Sequence, residues 1–304
     1  MRFHYGLNHS KIDITKIVLT KCIKDNKIII PKTDLARRNL FGVDPHPNKV
    51  KNVYINNIKF LPHEQIIIDK NKKICICFFG VMRSLKFTIF SIHNNIIKEL
   101  IKHGYYINIY LHTYNLDIIN NKRSNEKNIK LNVNDYKLLQ PDFVKITSQR
   151  DFDSILNLSR YLIKGDPWPE NPKVSLLNLL RQLNSLNIVT KMHSHKNYLL
   201  YLYLRPDIKY LNKFDINIIK NYRPNEFYTP IWGKFGGLND RIGLGDKSTM
   251  IKFGNRIAHA ANYSKTNKLH SETFLKNIMR GSIIKDINLK ANRIRANGYE
   301  SRDC

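Results

Sequence analysis

Tyr198-Leu-Leu-Tyr-Leu-Tyr-Leu-Arg205-Pro-Asp207-Ile-Lys-Tyr210 is an apolar, aromatic-rich run that stops abruptly on Arg-Pro-Asp. Its shortness and its residue types predict a buried strand. Proline has no amide to give to a central ladder, so the strand is expected to stop at Arg205. A cation and a carboxylate are thereby held at the mouth of a sheet. Open α/β sheets bind ligands at the carboxyl ends of their strands. Arg205 and Asp207 are therefore candidate binding residues. The same two side chains would also suit a plain ion pair at a strand end.

Upstream, Val174 to Lys191 has helical spacing, with Leu176, Leu177, Leu179, Leu180, Leu183, Leu186 and Val189 expected to pack on the sheet. This helix leads through His193 and His195 into the opening strand. Both histidines are metal-ligand types, but no third ligand lies nearby in sequence. Further upstream, Lys73-Ile-Cys-Ile-Cys-Phe-Phe79 reads as a strand buried on both faces. Gly80-Val-Met-Arg83-Ser84 follows. A helix is expected from there to His103, with Phe87, Phe90, Ile92, Ile96, Ile97, Leu100 and Ile101 on its apolar side. A second strand, Tyr106 to Tyr114, ends on Thr113-Tyr114. Strand, glycine turn, helix and strand make a right-handed βαβ unit with a parallel pair. Amides at the start of such a helix favour anions, and Arg83 adds a forked charge suited to phosphate. Neither a Walker loop nor GxGxxG is present. A tight turn beside a surface arginine would have the same sequence.

Residues 1–70 read as a small β-rich lobe. Short runs at Ile14–Leu19, Lys27–Pro31, Val53–Ile58 and Glu64–Asp69 are separated by turn-forming residues. Arg37, Arg38, Lys49 and Lys51 are expected on a solvated rim, and Asp34 and Asp44 in turn caps. Residues 120–128 form a polar surface loop. A helix is expected over Asp151–Lys164. A proline-broken loop carrying Trp168 follows, where the ring would plug an apolar gap or stack on a sugar or base.

Beyond the opening stretch, five glycines lie between Gly233 and Gly245. Such a loop can fold over or beneath a ligand as a lid, or form a simple hairpin. Its carboxylates are Asp240 and Asp246. Helical spacing returns over Thr249–Ala261, and a helix with Ser271 as N-cap and Glu272 in its first turn follows. Arg293 and Arg295 share one face of a late strand.

Lys and Arg number 51 against 24 acidic residues, a formal charge of +27. That excess suits polyanions, either nucleic acid or phosphorylated substrates. Lys, Asn and Ile are abundant everywhere, as AT-rich codons would produce, which weakens the charge as a pointer to nucleic acid. Cys75 and Cys77 face the same side of one strand, Cys22 and Cys304 are isolated, and no Cys/His spacing matches a zinc site. There is no apolar signal segment and no run of roughly 18 apolar residues. A cytoplasmic chain without stable membrane insertion is expected, host-cytoplasmic or virion-associated if viral.

The order of these parts resembles glycosyltransferases of large DNA viruses and bacterial polysaccharide clusters. The matching pieces are Phe78-Phe-Gly80-x-x-Arg83-Ser84, Leu111-His-Thr113-Tyr114, the helix containing Gln182 and Arg205-Pro-Asp207. Asn239-Asp240-Arg241-Ile-Gly243-Leu-Gly245, His270-Ser271-Glu272-x-Phe-Leu275 and Arg293-x-Arg295-x-x-Gly298 complete the set. The resemblance spans about residues 73 to 300. It implies an α/β fold: a GT-A-like (Rossmann-like), mixed but mainly parallel sheet flanked by helices, in residues 71–304. Residues 1–70 would be an accessory lobe.

The implied partners are a UDP- or GDP-sugar donor and a glycan or glycoprotein acceptor, in viral or surface glycan synthesis. Donor-binding roles fall on Gly80, Arg83, Ser84, Thr113, Tyr114, Gln182, Lys191, Arg205, Asp207 and Arg241. Asp207 matches the family's metal-holding carboxylate, for Mn²⁺ or Mg²⁺, yet Arg205 stands where the first acid of Asp-x-Asp belongs. Arg205 and Lys191 neutralising the diphosphate without metal is the alternative. Asp240 is the first candidate for the catalytic base and Glu272 the second. A nucleic-acid-binding protein or a nonenzymatic virion protein are the competing classes.

Overall fold

The structure is a computed structural model that describes residues 1–121, 124–170 and 172–302. Cys304 and part of the 120–128 loop lie outside the described residues. The first elements are β1 (Phe3–Leu7), β2 (Ser10–Asp13), α1 (Thr15–Lys21), β3 (Ile23–Lys24), β4 (Lys27–Ile30), α2 (Asp34–Phe41), β5 (Asn52–Ile55) and β6 (Ile58–Phe60). An antiparallel sheet of order β2-β1-β5-β6 is their frame. The strand expected at Ile14–Leu19 is instead α1. Ile14, Val18 and Cys22 are buried at successive intervals of four, the spacing of a helix face. Arg37 and Lys51 are not on a solvated rim either: both are buried. Arg37 donates to the carbonyls of Pro31 and Glu64, and Lys51 pairs with Asp34 and Asp44.

β7 (Ile66–Phe79) joins this lobe to the rest. Its first residues pair antiparallel with β4, and its later ones pair in parallel with β8 (Tyr105–Tyr114). The boundary expected at residue 70 lies inside this single strand. Between β7 and β8 the chain is helical, through α3 (Leu85–Ser91), a π-helical stretch (Ile92–Ile97) and α4 (Lys98–Lys102). Ile92, Ile96, Ile97, Leu100 and Ile101 are buried, but Phe87 and Phe90 are exposed.

A separate hairpin, β9 (Ile118–Asn121) and β10 (Glu126–Lys130), precedes β11 (Phe143–Thr147), the edge strand beside β8. The helix expected over Asp151–Lys164 is limited to α5 (Gln149–Ser154) and one 3₁₀ turn. α6 (Val174–His193) is the longest helix described. Its first half packs Leu176, Leu180 and Leu183 against other helices, and its second half packs Leu186 and Val189 on the sheet.

β12 (Leu200–Leu204) is the opening run, fully buried between β7 and a later strand. Next come β13 (Ile208–Tyr210), α7 (Asn217–Lys220), β14 (Glu226–Pro230) and β15 (Ile242–Gly245). α8 (Lys247–Gly254), α9 (Ile257–Tyr263), α10 (Ser271–Ile278), β16 (Ile283–Ile287), β17 (Ala291–Ile294) and β18 (Glu300–Ser301) end the described chain. The largest sheet has the order β11-β8-β7-β12-β15-β14-β16, with β3 and β4 attached at β7, while β13, β17 and β18 form a sheet of their own.

The mainly parallel, GT-A-like (Rossmann-like) sheet flanked by helices is not what forms. Among the described residues, parallel pairing is confined to β7–β8, β8–β11, β7–β12 and β14–β16. Every other pairing is antiparallel, and the strands are divided among several separate sheets. A parallel neighbour needs a long crossover, usually a helix. The glycine loop from Pro230 to Ile242 contains no helix, so β15 returns antiparallel to both β14 and β12. The result is a β-rich structure of mixed and antiparallel sheets. No helix among the described residues is long and apolar enough to cross a membrane.

Alternate residues of β7 serve different cores. Ile74, Ile76 and Phe78 join the core shared with the N-terminal lobe, whereas Cys75, Cys77 and Phe79 meet Tyr201, Tyr203 and α6. Each buried aliphatic or aromatic side chain here contributes about 1.5–3 kcal/mol. Both faces are thus fixed, leaving the ends of β7, β8 and β12 open to the cleft.

Candidate active site

A cleft of about 510 Å³ opens at the carboxyl ends of β7, β8 and β12. Among the described residues, Arg83, Arg181, Arg205, Arg241, Arg293 and Arg295 line it, facing three acids: Asp207, Asp240 and Glu272. Trp168 and Phe235 contribute aromatic surface, and the β9–β10 hairpin forms one wall.

One hydrogen-bonded chain crosses the cleft floor. Arg205 forks onto Asp207, with Nε 2.9 Å from Oδ1 and Nη2 on Oδ2. Arg83 Nη2 donates to the same Oδ2 at 2.7 Å, and its Nη1 reaches Glu126 Oε2 at 3.2 Å. Glu126 also accepts the Ser124 hydroxyl and the Ala296 amide. In the other direction, Arg205 Nη1 donates to Gln182 Oε1 at 3.1 Å. Gln182 Nε2 donates to Asp240 Oδ2 at 2.8 Å, where the Ser271 hydroxyl also donates. The turn after β12, the middle of α6 and the start of α10 are locked together by this chain.

Burial alone would raise the Asp207 carboxyl, but the Arg205 and Arg83 guanidinium groups hold it far below the usual range. Both its oxygens are engaged by arginine. A divalent cation prefers several carboxylate, carbonyl or water oxygens, so this guanidinium-filled donor set does not fit Mn²⁺ or Mg²⁺. The ion-pair reading of Arg205 and Asp207 describes their geometry.

Asp240 and Glu272 are buried in the same cleft yet titrate in opposite directions. Burial pushes Asp240 up, but Arg241 and Arg205 outweigh it and keep it below its ordinary value. Glu272 is pushed up to about 8, first by burial and then by the Asp240 charge. Arg241 offsets this only in part, its Nη2 lying 4.0 Å from Glu272 Oε1. At neutral pH Asp240 is therefore ionised and Glu272 mostly protonated, two neighbouring carboxyls whose titrations are pushed apart by their surroundings.

The glycine loop sets Arg241. A side chain at Gly233 would meet Arg241 Nη1 at 2.4 Å. The Asn239 side-chain oxygen accepts the Arg241 amide at 2.9 Å. Asp246, the loop's other carboxylate, is the N-cap of α8 and accepts the Thr249 amide. Ser271 is not the N-cap of α10. His270 holds that place, and Ser271 is the first helical residue, with its hydroxyl on Asp240.

Gly80, Arg83, Tyr114, Gln182, Arg205, Asp207, Asp240, Arg241 and Glu272 all line the cleft. Three expected residues do not. Ser84 is buried with its hydroxyl on the Ile294 carbonyl, Thr113 is buried behind the β8 end, and Lys191 is exposed near the far end of α6. The Gly80 amide is taken by Ser185 Oγ at 2.7 Å rather than aimed at a ligand. Sequence reasoning missed Glu126, which sits in a polar stretch with no marking pattern. It also missed Arg256, wholly buried against Phe253 and close enough to Asp240 and Glu272 to feel their charge.

Residues 69–294 match the family described as a domain of unknown function, DUF7796. The match covers most of the chain, which therefore belongs to that family. No curated protein matches the chain.

Proposed function

We propose that the chain is a glycosyltransferase that moves a sugar from a nucleotide-sugar donor to a glycan or glycoprotein acceptor. The observation that carries this reading is the Asp240–Glu272 pair, one ionised and one protonated, inside an arginine-lined cleft. A nucleoside diphosphate leaving group needs positive charge beside it as the bond to the anomeric carbon breaks. Arg241 and Arg295 are best placed to give it. Arg295 makes no ion pair among the described residues, and Arg241 Nε is buried without a hydrogen-bond partner.

In the proposed reaction the acceptor hydroxyl attacks the anomeric carbon. Its proton passes to a carboxylate, the new C–O bond forms, and the bond to the diphosphate oxygen breaks with its electron pair. Asp240, held ionised by arginines, is a weak base. Glu272 titrates close to neutrality, where proton transfer is most effective. The base role is therefore assigned to the ionised form of Glu272, whose share grows as pH rises towards about 8, and to Asp240 the task of setting its charge. No metal takes part.

A nucleotide-sugar panel read by thermal shift tests the proposal. A donor at 100 times its Kd stabilises the protein by about 2.7 kcal/mol, a shift of several degrees. No response to any UDP- or GDP-sugar, together with salt-sensitive binding of DNA or RNA, would overturn it in favour of a nucleic-acid-binding role.

A further inference from the structure

Away from the cleft, the fold brings a histidine against two cysteines that precede it by more than a hundred residues. Cys75 and Cys77 project from the same face of β7, and His193 is the last residue of α6. One ligand atom from each lies within 4.8 Å of the other two, and all three residues are buried. The two sulfurs stand 3.5 Å apart. With metal–sulfur bonds of about 2.3 Å, a tetrahedral zinc site holds its sulfurs about 3.8 Å apart and each sulfur about 3.6 Å from a ligating nitrogen. Small side-chain rotations would bring this group to those separations.

We propose that Cys75, Cys77 and His193 form a buried structural site for zinc(II), with the Tyr203 hydroxyl closing the fourth side. Charge favours a divalent ion. Two thiolates and a neutral imidazole make a complex of zero net charge, which an apolar core tolerates far better than a charged one. The thiol protons are released to solvent as the metal binds. Tyr203 is already in place, its hydroxyl 2.5 Å from His193 Nε2 and 2.9 Å from Thr190 Oγ1. His193 Nδ1 is buried with no hydrogen-bond partner among the described residues, so this imidazole has a ring nitrogen left over for a ligand or a proton. The site would tie the central strand of the large sheet to the helix that carries Gln182. It is independent of the reaction proposed for the cleft.

The full chain is produced with zinc present, dialysed against EDTA and analysed for metal, and separately refolded under reducing conditions with cobalt(II). The expected results are about one zinc retained per chain and a thiolate-to-cobalt charge-transfer band with tetrahedral visible absorption. Cys77→Ser, checked for folding by circular dichroism, should lose both. If that variant does not fold, the wild-type cobalt spectrum decides, because the charge-transfer band requires cysteine ligands. Folded, reduced wild type holding less than about 0.1 zinc and giving no charge-transfer band overturns the site. Equal zinc in wild type and folded Cys77→Ser overturns it too, since the metal would then sit elsewhere.

Discussion

Gly237 lies directly against the backbone of Glu272. A methyl group in place of its hydrogen would stand 1.9 Å from the Glu272 carbonyl oxygen and 2.4 Å from the Thr273 nitrogen. The Leu238 amide donates to that same carbonyl at 3.0 Å. This part of the glycine loop is therefore clamped to the helix bearing the carboxylate, rather than swinging over the cleft.

Gly237→Ala should force loop and helix apart. Overpacking at backbone atoms that cannot rotate away costs about 1–3 kcal/mol. An unfolding free energy lowered by that amount, seen as a lower denaturation midpoint, with a changed Glu272 titration, is the expected result. An unchanged midpoint would show that the contact is looser than described.

Asp207 is held between two arginines, and removing it leaves both with an unmatched charge. Asp207→Ala is expected to destabilise the fold by roughly 3 kcal/mol, as for other broken buried pairs. Because the folded carboxyl is held below its ordinary value of 3.8, its contribution is complete above that pH and is lost as pH falls below it. Urea denaturation of wild type and variant at neutral and acid pH measures both effects. The difference should narrow as the solution is acidified.

Glu272 gives the opposite pH dependence. Between its ordinary value of 4.5 and about 8 the folded protein keeps a proton that the unfolded chain has released. Stability from this group therefore declines as pH rises through that window. Glu272→Gln should be more stable relative to wild type at pH 9 than at pH 5, seen as a sign change or widening in the difference of midpoints. If Glu272 is the base, transfer by wild type rises with pH towards a plateau above about 8. The glutamine variant should show no such rise.

Arg295→Ala should weaken nucleotide-sugar binding about tenfold, the loss of one charged hydrogen bond. Its guanidinium has no ion pair to break among the described residues, so the melting temperature without ligand should change little. Isothermal titration with a responding donor measures the first, and a thermal melt the second. EDTA should leave the affinity unchanged, given an acid set already occupied by arginine.

The strongly apolar strands were legible in the sequence, while short or polar ones such as β1, β9, β10, β14 and β15 were not. Apolar runs such as Leu200–Leu204 and Ile74–Phe79 can be buried only one way, and Pro206 marks where the ladder ends. Strand direction was legible for the parallel β7–β8 pair, which a helix joins, but not for the later strands. It depends on how the chain crosses between strands, and the return of β15 across a helix-free loop is invisible to residue type. The short α1 was misread because β-branched residues suit both a strand and a buried helix face. Arg205, Asp207 and Glu272 were singled out because they lie beside the end or start of an element, and Asp240 because it is a carboxylate in the glycine loop. Glu126 was not, because its partners Arg83 and Ala296 lie 43 and 170 residues away. The closeness of His193 to Cys75 and Cys77 was hidden for the same reason.

Ser84 closes on the Ile294 carbonyl across 210 residues, and Glu126 on the Ala296 amide across 170. During synthesis on the ribosome, the lobe and the first strands can pair as they emerge. The cleft cannot. Until the segment around Ile294 leaves the exit tunnel, Ser84 lacks the Ile294 carbonyl, Glu126 lacks the Ala296 amide and Arg295 is absent. Contacts this distant in sequence form late and slowly. A nascent chain arrested before residue 290 would thus hold most of a sheet but an incomplete cleft, with β13 lacking its β17 partner and an unpaired strand edge exposed to chaperones.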